Sequence, residues 1–210
     1  MANSVAVSKV LRGSDMSILA QLLVIQMSFA VGHEWTHHVH GHNHDTPGLM
    51  EHVSEVDADG YSTRHVVDWL MGGMGRANAI SELNCSRLSE TGQDEVLFSA
   101  FVIAIGSLLF ATVPKRDLSN IYEHSHPPHA ARMNWIMQNA VQWCRHNKPE
   151  VEYLMPLEKW QMLMRHAAVA VWGMNGGADW SDQIAFLRSV KGLEYVSRVE
   201  EGMVEYRKTL

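Results

Sequence analysis

Cysteine is scarce in this chain, with only Cys85 and Cys144 among 210 residues. Two cysteines make no disulfide framework. The fold must therefore rest on apolar packing, and the pair fits a reducing compartment, with one bridge at most. Charge is sparse too, at 19% of residues, and it leans acidic: 23 Asp and Glu against 17 Lys and Arg, a net charge of −6. No run of Lys or Arg forms a stripe that would track phosphates, so nucleic acid is not an expected partner. The opening MANSVAVSKVLRGSD lacks the basic-then-apolar layout of a secretory signal, and the expected location is the cytoplasm. Internal repeats and strong period-two alternation are also missing. Helical periodicity remains, in a chain that is 46% apolar and long enough for a real core, so the expected class is mainly α.

The expected helices follow from breakers and caps. Gly13-Ser14-Asp15 offers an N-cap, and Ile18, Leu19, Leu22, Leu23, Ile25, Met27 and Phe29 suggest a buried helix running to about His40. Thr46-Pro47-Gly48 stops it. A second helix runs from near Glu51 to Met71, and Gly72-Gly73 breaks it. A third covers roughly Ala77 to Leu88. Pro127-Pro128 opens one over Ala130 to His146, Pro156 another to about Trp172, and one or two more follow from Trp180. Residues 1–148 are expected to form the main domain, with 149–210 as a helical extension packed on it or as part of the same domain.

Val96 to Val113 is uncharged throughout and as a helix would reach about 27 Å, close to a bilayer core. Asp94 and Glu95 precede it, and Lys115 and Arg116 follow it. The stretch reads either as a membrane span or as a buried central helix.

Histidine is the residue in excess. Six of the 13 lie between Val31 and His44, in VGHEWTHHVHGHNH. Within it, His33-Glu34-Trp35-Thr36-His37 has the H-E-x-x-H pattern. On a helix, positions i and i+4 share a face, so both imidazoles can meet one ion while Glu34 stands beside them, within reach of a metal-bound water. A catalytic zinc needs a third protein ligand and an open position. Glu55, on the next expected helix, is the candidate. Asp59 lies one turn further on the same face, where it can take the far N–H of a ligating histidine. His38, His40, His42, His44 and His52 exceed what one site requires. They can line the cleft, hold a second metal or decorate a helix end.

H-E-x-x-H followed by E-x-x-A-D resembles the gluzincin metallopeptidases. A third segment, Ser125 to Met133 (SHPPHAARM), is similar to the T-H-P-x-x-x-R element of the HtpX-type and CAAX prenyl-protease families. The overall likeness is greatest to the Lit-type phage-exclusion peptidases. The matching motifs run from Gly32 to Met133. The resemblance implies a zincin-like helical metallopeptidase domain, a Zn2+ ion, a protein or peptide substrate and an intracellular target. It also implies that His126 and Arg132 lie near the active site, holding a substrate carbonyl, an oxyanion or the Asp of the A-D pair. Tyr122 and His124 are lesser candidates for the oxyanion.

The same motifs bear on Val96–Val113. Glu55 and Asp59 precede it and His126 and Arg132 follow it, so a single span would part them. A shared site needs a buried helix, since the other apolar run, Ile18–Val31, is short and holds Gln21 and Gln26. The alternative function is a histidine-rich metal-binding or metal-transport protein, with HHVHGHNHD as a loose chelator and Val96–Val113 in a membrane. A degenerate protease fold used only for binding is a third reading, against which Glu34 speaks.

Overall fold

The computed structural model describes residues 16–42, 48–112, 118–150 and 156–210. Eight α-helices are described: α1 (Met16–His40), α2 (Leu49–Val67), α3 (Gly75–Glu82), α4 (Glu90–Thr112), α5 (His129–Asn147), α6 (Leu157–Trp172), α7 (Gly176–Leu187) and α8 (Val190–Arg207). A π-helical turn, Asp68–Gly72, continues α2, and a 3-10 segment, Leu118–Glu123, precedes α5. No strand occurs among the described residues, so the class is mainly α. The expected cap at Gly13-Ser14-Asp15, the stop at Thr46-Pro47, His44, and Val113 with Lys115 and Arg116 lie outside the described residues.

Two helices organise the rest, for opposite reasons. α4 is apolar nearly all round, and such a helix must be covered on every side. Leu97, Phe98, Phe101 and Ile105 are buried, and α1 and α6 pack against it. Gln26 of α1 donates to the Ala104 carbonyl at 3.0 Å. The acids at its start are buried as well: Asp94 pairs with Arg76 and Lys148, and Glu95 with Lys159.

α2 is the anomaly. Glu51, His52, Ser54, Glu55, Asp57, Asp59, Ser62 and Thr63 are all buried, under α1, α5 and α8. A helix this polar costs free energy to enclose unless each group finds a partner or a ligand. Its approach to α1 is close: a Cβ on Gly32 would stand 2.9 Å from Ser62 Oγ, and that hydroxyl donates to the Phe29 carbonyl at 2.6 Å.

Two expectations need correction. The third helix ends at Glu82 rather than near Leu88. Asn84 takes a left-handed conformation (φ 51°) while Asn84 N–H and Cys85 N–H return to the Ser81 and Ile80 carbonyls, a helix-terminating turn. The first apolar run is not short either. α1 spans 25 residues, so α1 and α4 are both long and apolar enough to cross a membrane by length and composition. α1 leaves Leu19, Leu23, Met27, Val31 and Trp35 exposed, whereas α4 is mostly buried.

Candidate metal centre

α1 presents His33 and His37 one turn apart, as the i, i+4 spacing requires, and α2 brings Glu55 against them. His33 Nε2 and His37 Nε2 face each other at 3.0 Å. Glu55 Oε2 lies 3.5 Å from His33 Nε2, and Oε1 lies 3.2 Å from His37 Nε2. All three side chains are buried, and their ligand atoms fall within 4.8 Å of one another. Among the described residues Glu55 Oε2 has no hydrogen-bond partner. Two imidazole nitrogens and a carboxylate oxygen converging this way form a donor set for one divalent ion.

The next layer is charged. Asp59 Oδ1 lies 3.0 Å from His33 Nδ1. Arg132, from α5, grips both Asp59 oxygens, with Nε at 2.8 Å and Nη2 at 2.7 Å, and its Nη2 stands 3.4 Å from Glu55. Of the two partners expected for Arg132, a substrate or Asp59, the structure joins it to Asp59, and the side chain is almost wholly buried. Glu55, Asp59 and Arg132 together leave one uncompensated negative charge, which is costly in the interior. The titration of His33 responds to it. Burial alone would lower the His33 pKa, but Asp59 and Glu55 outweigh burial and push it up to about 9. Burial raises Glu55 and Asp59, yet His33, His37 and Arg132 around Glu55, and Arg132 and His33 around Asp59, hold both carboxyls well below the usual range. A proton on His33 thus stands where a metal's charge would balance the centre.

Glu34 is exposed and lines a cavity of about 160 Å³ together with Phe29, His33, Leu108, His126 and Arg132. His126 Nε2 lies 3.5 Å from Glu55 Oε2, and its Nδ1 lies 2.8 Å from Ser125 Oγ. The Tyr122 ring and the His124 backbone lie beside His52. The His124 carbonyl accepts from His52 Nε2 at 2.7 Å, the Tyr195 hydroxyl donates to His52 Nδ1 at 2.9 Å, and Tyr122 packs on both rings. A larger groove, about 440 Å³, lies between α6 and α7, lined by residues from Glu158 to Arg188 and away from these groups.

One functional candidate escaped sequence reasoning. Asp57, fully buried, lies 2.6 Å from His40 Nδ1, 3.6 Å from His42 Nε2 and 3.4 Å from Arg207. Burial raises its carboxyl, but His42, His40 and Arg207 bring it below the ordinary value. His40, His42 and Asp57 also gather ligand atoms within 4.8 Å. The signal available was Gly41, which ends α1 and turns His42 back.

The model of one family, Peptidase U49, matches residues 3–145. No curated protein matches the chain, and no solved structure does. The match covers more than half of the chain, including α1, α2, α4 and nearly all of α5, and so every residue of the centre described above. The chain therefore belongs to the Peptidase U49 family and is a peptidase, acting on proteins or peptides.

Proposed function

We propose that the chain is a zinc-dependent endopeptidase of gluzincin type, with His33, His37 and Glu55 as the protein ligands. The observation that carries this reading is the convergence of the three buried side chains, with a carboxylate oxygen that has no hydrogen-bond partner among the described residues. Two histidines and a carboxylate are a donor set that suits zinc and leaves a position open. A bound zinc ion would supply Lewis acidity to the scissile carbonyl and acidify a water molecule. Glu34, at the wall of the adjoining cavity, would hold the proton released by the attacking water and pass it to the leaving amine. Asp59, whose Oδ1 stands 3.0 Å from His33 Nδ1, is placed to take the far N–H of a metal-bound His33, and Arg132 holds Asp59 in turn. His126 faces the same cavity and donates to the oxyanion as it forms. Glu34→Gln should keep the metal and the fold and lose 10²–10⁴-fold in turnover of a proteome-derived peptide library, on the order expected for a general base. Undiminished turnover in a metal-replete sample would remove Glu34 from that role.

The proposed setting is the cytoplasm, with an intracellular protein as substrate and α4 as a core helix. Support comes from the buried ion pairs at the start of α4 and from the Asp59–Arg132 bond, which joins groups on either side of it in sequence. Residues 149–210 are proposed as an extension packed on the peptidase domain.

A further inference from the structure

His40, His42 and Asp57 lie one layer behind His37, and the end of α1 explains how they got there. Gly41 adopts φ +64°, a conformation that favours glycine. Its N–H returns to the His38 carbonyl at 3.4 Å, and the His42 N–H returns to the His37 carbonyl at 3.0 Å. This is the Schellman pattern, which folds the residue after the glycine back onto the residue five before it. Normally two apolar side chains meet there. Here two imidazoles meet: Nδ1 of His42 stands 2.7 Å from Nδ1 of His37, with ring centroids 4.7 Å apart.

We propose that His42, backed by Asp57, is the positioning residue of His37, and that the His40–His42–Asp57 group supports the first metal centre rather than holding a second ion. The proposal rests on the reading of His33, His37 and Glu55 as that centre. Proton accounting carries it. A neutral imidazole has one N–H. If His37 ligates through Nε2, its proton sits on Nδ1 and must be donated. His42 Nδ1 is the acceptor, so the proton of His42 sits on Nε2, facing Asp57 Oδ2 at 3.6 Å. The result is an imidazole–imidazole pair that sets the tautomer and plane of His37, with the Asp57 carboxylate beyond it, near His42 Nε2 but outside hydrogen-bond distance. A second ion on His42 Nε2 would reverse this order. The proton of His42 would then sit on Nδ1, opposite the N–H of His37 at 2.7 Å, and two donors cannot share that contact. The carboxylate of Asp57 is engaged as well, Oδ2 by His40 Nδ1 and Oδ1 by Arg207.

The test is zinc binding to the full purified chain, by competition with a chromophoric chelator, together with the visible spectrum of the cobalt-loaded protein. Wild type should bind one ion. His42→Phe fills the ring's volume but accepts nothing, and it should weaken binding about 10–100-fold and shift the cobalt bands. His42→Gln offers an amide oxygen to the His37 N–H and should recover most of the loss. Asp57→Asn should weaken binding by less than His42→Phe. Circular dichroism of the metal-free variants checks their fold, and His42→Gln decides if His42→Phe does not fold. In that case His42→Gln should bind zinc within a few-fold of wild type, and a loss of 10-fold or more would overturn the proposal. Wild-type affinity and spectrum in His42→Phe, with binding still lost in His33→Ala, would overturn this inference alone. So would two ions per chain, the second lost in His40→Ala. A wild-type chain that binds no zinc would overturn both this inference and the proposed metal centre.

Discussion

Glu55 bears the sharpest constraint at the scale of single residues. Its Oε2 is buried without a hydrogen bond among the described residues, with the Arg132 guanidinium 3.4 Å away, and a metal ion would give it a closer partner. Asp59 and His126 flank it, with different proposed tasks. Asp59→Ala removes the acceptor on His33 Nδ1 and strands Arg132, so zinc affinity should fall about 10–100-fold. His126→Ala should leave affinity nearly intact and lower turnover, because the contribution proposed for it belongs to the transition state. Zinc titration and turnover on both variants separate the roles, and a metal-free His126→Ala would make His126 a ligand candidate. In metal-free protein His33 should also set a pH slope. Its folded pKa is raised to about 9 from 6.5, so its stabilisation is complete below pH 6.5 and is lost as the pH rises through about 9. Urea unfolding of metal-free wild type and His33→Gln should show the gap between them closing over that window, and a constant gap would contradict it. His33, His37, Glu55 and Asp59 were legible in the sequence because helical spacing alone aligns each pair. Asp57 was not, since His42 reaches it only through the reversal at Gly41 and Arg207 comes from α8.

Among the elements, the α1–α2 contact decides whether the ligands meet. Gly32 precedes His33, and a methyl group there would stand 2.9 Å from Ser62 Oγ. Gly32→Ala should force the helices apart or break the bond from Ser62 to Phe29, costing about 1–3 kcal/mol and weakening zinc binding with it. Thermal unfolding and chelator competition check both effects, and an unchanged zinc affinity would show that the helices can separate without moving the ligands. Helix existence was readable throughout from apolar periodicity and from proline. The end of α3 was not, because Asn84 stops it where glycine would have been the plainer signal. The burial of α2 was not readable either. Its composition suggests a solvated helix, and only the surrounding helices show that its polar groups face inward.

At the scale of the whole molecule, the C-terminal helices close over the polar helix. α8 packs on α2, α6 on α4, and Tyr195 reaches His52 inside the core. The amphipathic pattern of 149–210 announces a face to be buried but not its counterpart, so sequence alone left open whether this region is an appendage. Deleting residues 149–210 should expose α2 and yield protein that aggregates or fails to retain zinc. A truncated chain that is folded and fully zinc-loaded would show that the first 148 residues are sufficient. The full chain should be recovered without detergent, because the more apolar of the two helices, α4, is mostly spent on the core. Recovery only with detergent would place α1, whose apolar face is exposed, or α4 in a membrane. Membership in a peptidase family favours the enzyme over the metal-transport alternative.

The central claim is that one zinc ion sits among His33, His37 and Glu55. The most direct measurement is an anomalous difference map collected at the zinc edge from crystals of the full chain. One peak is expected, about 2.0–2.2 Å from His33 Nε2, His37 Nε2 and an oxygen of Glu55. A zinc-replete crystal with no peak there, or with its peak among His40, His42 and Asp57, would contradict it.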